Sequence, residues 1–164
     1  GRPPNEMSDS DAFPMSVRGF VQMRPMAQKR HRHTMGGGRV YDPCSKDKKE
    51  FLEKCTSVIR YPYSGPCAGP LHVQLEFCFL RPKSHYKKNG GLRVTSPLLH
   101  VYKPDTDNLA KFVLDALQGT YFKDDCQIVH LESRKKYVST DADQGVHLDM
   151  RTMHHASRSH LQRA

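Results

Sequence analysis

Four aspartates between Lys103 and Gln127 carry the chemistry open to this chain. Asp105 and Asp107 stand one residue apart at a predicted helix start, and Asp124 and Asp125 follow just past that helix's end. A carboxylate is stable only where it is hydrated or paired, so four of them flanking one helix call for a cation or a chemical task. Hard cations such as Mg²⁺ take one or two carboxylates, waters and phosphate oxygens rather than His or Cys, and no His/Cys cluster interrupts the stretch. The expectation is a divalent-metal site, for Mg²⁺ or Mn²⁺, that hydrolyses a phosphodiester. Two ions ~3.5–4 Å apart would orient a water and neutralise the leaving oxygen.

Plainer readings account for part of the pattern. Asp is a good helix cap and is favoured by the positive end of the helix dipole, which explains one aspartate of the first pair but not two followed by a second pair. Lys111 lies four residues after Asp107 and shares its helix face, with Asp115 one turn further. That spacing suits a lysine neutralising charge near the metal or the scissile phosphate; it equally suits an Asp-to-Lys pair worth ~0.3–0.5 kcal/mol. A calcium loop is excluded. DTDN begins like an EF-hand, but Leu109 takes the third ligand position and the required Gly and closing Glu are missing.

The charge around the aspartates fits a polyanionic substrate. Six basic residues and no acidic one lie from Arg18 to Arg39, and the same is true from Arg81 to Lys103, whereas Pro104 to Met150 carries nine Asp/Glu against five Lys/Arg. Basic arms hold phosphates by counterion release while carboxylates hold metal at the reacting one. The candidate nucleic-acid contacts are Arg24, Lys29, Arg30 and Arg32 in RPMAQKRHRHT, and Lys83, Lys87, Lys88 and Arg93 in the second arm. Solubility alone would call for basic residues, but not for two long acid-free runs.

The elements that must position these residues follow from periodicity. Ser16–Met23 reads as a short strand. Ser45 is placed to cap a helix running to Ile59, with Phe51, Leu52, Cys55, Val58 and Ile59 on one face. Lys48, Lys49 and Lys54 lie off that face, as solvated surface or, in a second reading, as contacts to the nucleic-acid backbone. LHVQLEFCFL (71–80) alternates as a half-buried strand. The Gly-, Pro- and Lys-rich 81–103 argues against packing and predicts a mobile loop that orders on nucleic acid, with Tyr86 and Tyr102 free to stack on bases. A helix spans Asp107–Gln118, closed by Gly119. Strands follow at Gln127–Tyr137, with Val129 and Leu131 on one side and Ile128, His130 and Glu132 on the other, and at Val146–Arg151. The sum is an α+β domain over 16–151, a small mixed sheet with helices mainly on one face, between a flexible leader (1–15) and a flexible tail (152–164).

Composition sets the outer bounds. At 164 residues the chain holds one domain. A hydrophobic content of 37% and a mean hydropathy of −0.71 are low enough to predict tails or loops. Five cysteines, odd in number and never spaced C-x-x-C, indicate neither a disulfide framework nor a zinc ribbon, and favour a reducing, intracellular setting. No apolar run approaches the ~20 residues of a membrane span. The sequence opens on Gly1 rather than Met, which leaves room for a removed targeting segment and hence for a nucleoid or organelle. His130 and His147 read as solvent-facing, and His154, His155 and His160 as weak metal binders in the tail.

KPDTDNLAKFVLDALQG, followed by DDCQIV and KKY, resembles the RusA family of Holliday-junction resolvases: a DxDN helix start, a Lys one turn on, an Asp-Ala-Leu helix centre and a DD-x-Q turn. The likeness is dense over about 35 residues and weaker from Val17 to Met150. It implies a RusA-like fold and a homodimeric endonuclease that nicks four-way DNA junctions symmetrically with Mg²⁺. It also implies roles: Asp105, Asp107 and Asp125 as metal ligands, Lys111 as the catalytic lysine, and Asp124 in support. The leader, the long basic arm and the His/Arg tail depart from the pattern. They keep open a second reading, a nucleic-acid-binding or scaffolding component of a larger ribonucleoprotein assembly that binds RNA without cleaving.

Overall fold

The alternation in LHVQLEFCFL folds as a central strand, with Leu71, Val73, Leu75, Phe77 and Phe79 buried against two helices and His72, Gln74 and Glu76 on the opposite face. The computed structural model describes residues 16–34, 36, 38–59 and 65–153. In chain order these form β1 (Ser16–Val21), a small hairpin of β2 (Arg32–His33) and β3 (Val40–Tyr41), α1 (Ser45–Val58), β4 (Leu71–Leu80), α2 (Thr106–Leu117), β5 (Ile128–Val138) and β6 (Gly145–Thr152). The main sheet has the order β1-β6-β4-β5. Its β1/β6 and β6/β4 pairs are antiparallel and its β4/β5 pair is parallel. The fold is the α+β, RusA-like arrangement expected: one mixed sheet with both helices on one face.

The core lies between that face and the helices. Phe51 and Cys55 from α1 and Leu109, Phe112, Val113 and Leu117 from α2 meet Val21, Leu75, Phe77, Leu148 and Met150 of the sheet, and the Phe51 and Phe112 rings pack edge-on at 6.0 Å. Fully burying such a side chain is worth ~1.5–3 kcal/mol, so the apolar stripe holds the helices in place. Past α2, Tyr121 and Phe122 are wholly buried, and the Tyr121 hydroxyl donates to the Ile59 carbonyl. Among the described residues no helix covers the opposite sheet face. There Glu76 pairs with Arg134 and Lys136, and Asp149 with Arg18 and Arg151.

Three expectations shift. The cap of α1 is Cys44 rather than Ser45, with no side-chain cap bond; the Asp42 carboxylate instead turns back to accept from the Cys44 N–H at 2.9 Å. In β5 the alternation slips, because Leu71 pairs with Ile128 while His72 pairs with His130. Val129 is the extra residue of that bulge, so Ile128 packs on the core while His130 and Glu132 stay on the open face. The segment 81–103, whose composition argues against packing, contains a short 3₁₀ turn at Lys83–His85, and His100 is buried against Phe79 and Tyr137. Arg81 lies over the Tyr137 ring at 4.9 Å and donates to the Pro97 carbonyl at 2.8 Å, which ties the arm to β5. The leader and residues 154–164, with His154, His155 and His160, lie outside the described residues.

Candidate metal and nucleic-acid site

Asp105 is the N-cap of α2, with extended dihedrals (φ −73°, ψ 146°), yet its carboxylate makes no cap hydrogen bond. Among the described residues only its backbone carbonyl is used, accepting from the Leu109 N–H at 3.1 Å. Asp107 follows in the first turn, exposed, and neither carboxylate has an ion-pair partner among the described residues. Capping therefore does not explain the pair. Two uncommitted carboxylates at the positive end of a helix are the donor set a hard cation takes.

Two tethers bring both basic arms to this end of α2. The Gln28 N–H donates to the Asn108 carbonyl at 2.9 Å, which lays the stretch containing Arg24, Lys29, Arg30 and Arg32 beside the first turn. Lys135 of β5 donates from Nζ to the carbonyls of Tyr102 at 2.6 Å and Pro104 at 2.8 Å, and so fixes the end of the second arm one residue ahead of Asp105. All eight arginines and lysines expected to meet nucleic acid are exposed. Among the described residues, Arg93 alone of them makes a local side-chain hydrogen bond, from Nε to the Tyr86 carbonyl at 3.0 Å.

Lys111 points along α2 toward its C-terminus. Its Nζ is 3.8 Å from Asp115, with no contact to Asp107, and the side chain is 57% exposed. The helix pair expected with Asp107 is thus made one turn later, and loosely, because Lys48 of α1 holds the other Asp115 oxygen at 3.1 Å. Lys48 is not solvated surface: it bridges Asp115 and Asp42, at 2.7 Å, in a partly buried cluster. Burial pulls the Asp42 carboxyl up, but hydrogen bonds from Lys48, the Cys44 N–H and Gln28 outweigh it and bring it down to about 2.

The second carboxylate pair lies elsewhere. Asp124 caps the 3₁₀ turn Asp125–Gln127 as a capping box: its carboxylate accepts from the Cys126 N–H at 2.9 Å, while the Asp124 N–H donates to Gln127 Oε1 at 2.8 Å. That bond from Cys126 is the main reason the Asp124 carboxyl titrates below its ordinary value. Asp124 in turn pushes the Cys126 thiol up, so this exposed cysteine is disfavoured as a reactive thiolate. Gln127 Nε2 donates to the Cys67 and Gly69 carbonyls, both at 2.9 Å, which pins the turn to the start of β4. Asp124 and Asp125 therefore sit at the N-terminal end of β5 and Asp105 and Asp107 near its C-terminal half, separated by the length of α2, on the order of 20 Å. The chain brings Asp105 and Asp107 to the first basic arm and to the end of the second; it does not bring the two carboxylate pairs into one cluster.

Lys135, Lys48 and Gln127 are the residues sequence reasoning missed. Lys135 leaves a signal, since by period it points to the helix-covered side of β5, where a charge is retained only with partners.

A model of the endodeoxyribonuclease RusA family matches residues 22–148. The uncharacterized protein YqaN of Bacillus subtilis (strain 168) is 33% identical over 122 residues, covering 71% of this chain and 84% of that protein. With the mixed sheet, the DxDN start of α2 and the DD turn ahead of β5 in place, the chain belongs to the RusA family of endodeoxyribonucleases.

Proposed function

We propose that this chain is a divalent-metal-dependent, structure-selective DNA endonuclease that resolves four-way junctions by paired nicks as a homodimer. The observation that carries the reading is the pair of uncommitted carboxylates, Asp105 and Asp107, at the start of α2 where both basic arms meet. Their oxygens suit Mg²⁺ or Mn²⁺, which leaves its remaining positions to water and phosphate. When bound, the ion supplies Lewis-acid stabilisation of charge on the phosphoryl oxygens. Lys111, tied only at 3.8 Å, is free to swing toward the scissile phosphate and offset its charge. Arg24, Lys29, Arg30, Arg32, Lys83, Lys87, Lys88 and Arg93 hold the flanking backbone, and the arm 81–103 orders further on DNA.

Asp125, with Asp124 shaping its turn, completes the reaction centre from the second copy of the dimer, because within one chain it lies at the far end of α2 from Asp105. Cleavage of a synthetic four-way junction in Mg²⁺ tests both parts. Asp107→Asn and Asp125→Asn are each expected to abolish cutting. Mixing the two variants is expected to restore single-strand nicking, since one hybrid centre then has Asp107 from one chain and Asp125 from the other. If the mixture stays inactive, the centre is not shared. If Asp107→Asn cuts at the wild-type rate, the nuclease reading itself fails; RNA binding without cleavage by the unaltered chain would favour a scaffolding role.

A further inference from the structure

The open face of the sheet holds a second cluster of metal-ligating side chains, unlike the first in chemistry. His72 of β4 and His130 of β5 are paired across the parallel ladder, with rings stacked at 4.2 Å and tilted by 28°. Both direct Nε2 at one oxygen, Glu132 Oε1, each at 3.3 Å. The donor atoms of all three lie within 4.8 Å of one another. We propose that His72, His130 and Glu132 form a binding site for a borderline transition-metal ion of the Zn²⁺ type, distinct from the carboxylate site on α2.

The geometry fits an ion better than it fits hydrogen bonds. Ligands ~2.0–2.2 Å from a tetrahedral ion lie ~3.3 Å apart along the tetrahedron's edges, and both nitrogen-to-oxygen distances have that length. A neutral N–H···O bond is ordinarily ~2.9–3.0 Å. The His72 Nε2 atom is buried, and among the described residues it makes no hydrogen bond, with Glu132 Oε1 the oxygen it faces at 3.3 Å. Gln74 Nε2 donates to the other carboxylate oxygen, Oε2, at 2.9 Å, which orients Glu132 with Oε1 toward the imidazoles as an outer partner of a metal ligand does. Arg151, paired with His72 in the ladder, is held by both Asp149 oxygens at 2.9 and 3.1 Å, so its charge is offset nearby. The other cluster on this face, Glu76, Cys78 and His147, is a poorer candidate, because Glu76 is already taken by Arg134 and Lys136.

Two imidazoles and one carboxylate select Zn²⁺, Co²⁺ or Ni²⁺ over Mg²⁺, and three protein ligands leave one corner to water. Binding would join the starts of β4 and β5, directly after the Asp124–Asp125 turn, and would raise the melting temperature by mass action.

The test is titration of the full chain with ZnCl₂, and with CoCl₂ for its tetrahedral visible absorption, on four proteins: the unaltered chain, His130→Ala, Glu132→Gln, and a chain carrying His154→Ala, His155→Ala and His160→Ala. The expected result is one ion per chain with an upward melting shift, weakened at least tenfold by His130→Ala and by Glu132→Gln and kept by the tail variant. His130 and Glu132 are exposed, so both single variants are expected to fold, which circular dichroism verifies. No binding, unchanged binding in both single variants, or loss confined to the tail variant would overturn the proposal. Asp107→Asn is expected to keep Zn²⁺ binding, which separates this site from the nuclease centre.

Discussion

Lys135 Nζ donates to the Pro104 carbonyl at 2.8 Å, and the next residue is the Asp105 cap of α2. A charged side chain on the covered side of β5 is thereby spent on holding backbone, with a second bond to the Tyr102 carbonyl. Lys135→Met is expected to release the entry to α2 and lower junction cleavage ~10- to 100-fold, since displacements of about 1 Å cost that much at a reaction centre. Far-UV circular dichroism should stay unchanged, and Lys135→Arg should recover part of the rate. Wild-type cleavage by Lys135→Met would remove the residue from any positioning role.

The contrast between Lys135 and Asp105 shows what a single sequence discloses here. The strand at 71–80, the α2 face of Leu109, Phe112, Val113 and Leu117, and the DxDN motif are local patterns, and each folds where its period puts it. What sequence spacing leaves out is reach across the fold. Lys48 reads as helix surface because nothing local announces Asp42 or Asp115, which meet it only when α1 packs on α2. The bulge at Val129 is set by pairing with β4, so Ile128 is assigned the wrong face by alternation alone. The two carboxylate pairs look adjacent in sequence, and the intervening helix carries them apart.

The Lys48 cluster predicts an acid limb of stability. Asp42 titrates at about 2 in the folded chain against an ordinary 3.8. A carboxyl depressed on folding contributes stability that is present above its unfolded value and lost as pH falls through the folded one, so the loss falls between about pH 4 and 2. Asp42→Asn is expected to cost ~1–2 kcal/mol at pH 7 and to flatten urea-midpoint profiles over that interval. An unchanged profile would mean that the Lys48 contacts contribute nothing net.

Gly145 opens β6 at a place without room for a side chain. A Cβ there would lie 2.3 Å from the Val21 carbonyl oxygen and 2.6 Å from the Phe20 ring, and the backbone oxygen cannot turn aside as a side chain can. Gly145→Ala is expected to destabilise by ~1–3 kcal/mol through overpacking. Gly91→Ala, whose Cβ would meet only Asn89 Oδ1 at 3.5 Å, should stay within ~0.5 kcal/mol of the unaltered chain. Equal urea midpoints for the two variants would contradict the packing described for β1 and β6.

Lys111 separates a chemical role from a structural one. Its only ion-pair contact among the described residues is Asp115 at 3.8 Å, and at 57% exposure such a pair is worth ~0.3–0.5 kcal/mol at most. Lys111→Gln should therefore leave the melting temperature within about 2 °C of the unaltered chain. A charge placed on the reacting phosphate is worth far more than one in water, so the same change is expected to reduce cleavage ~10²-fold or more with Mg²⁺ binding intact. Lys111→Arg keeps the charge and should retain more activity than Lys111→Gln. Single-turnover rates on a four-way junction, with melting curves of the same preparations, decide the matter: a loss of stability without a loss of rate would make Lys111 a helix-surface residue and nothing more.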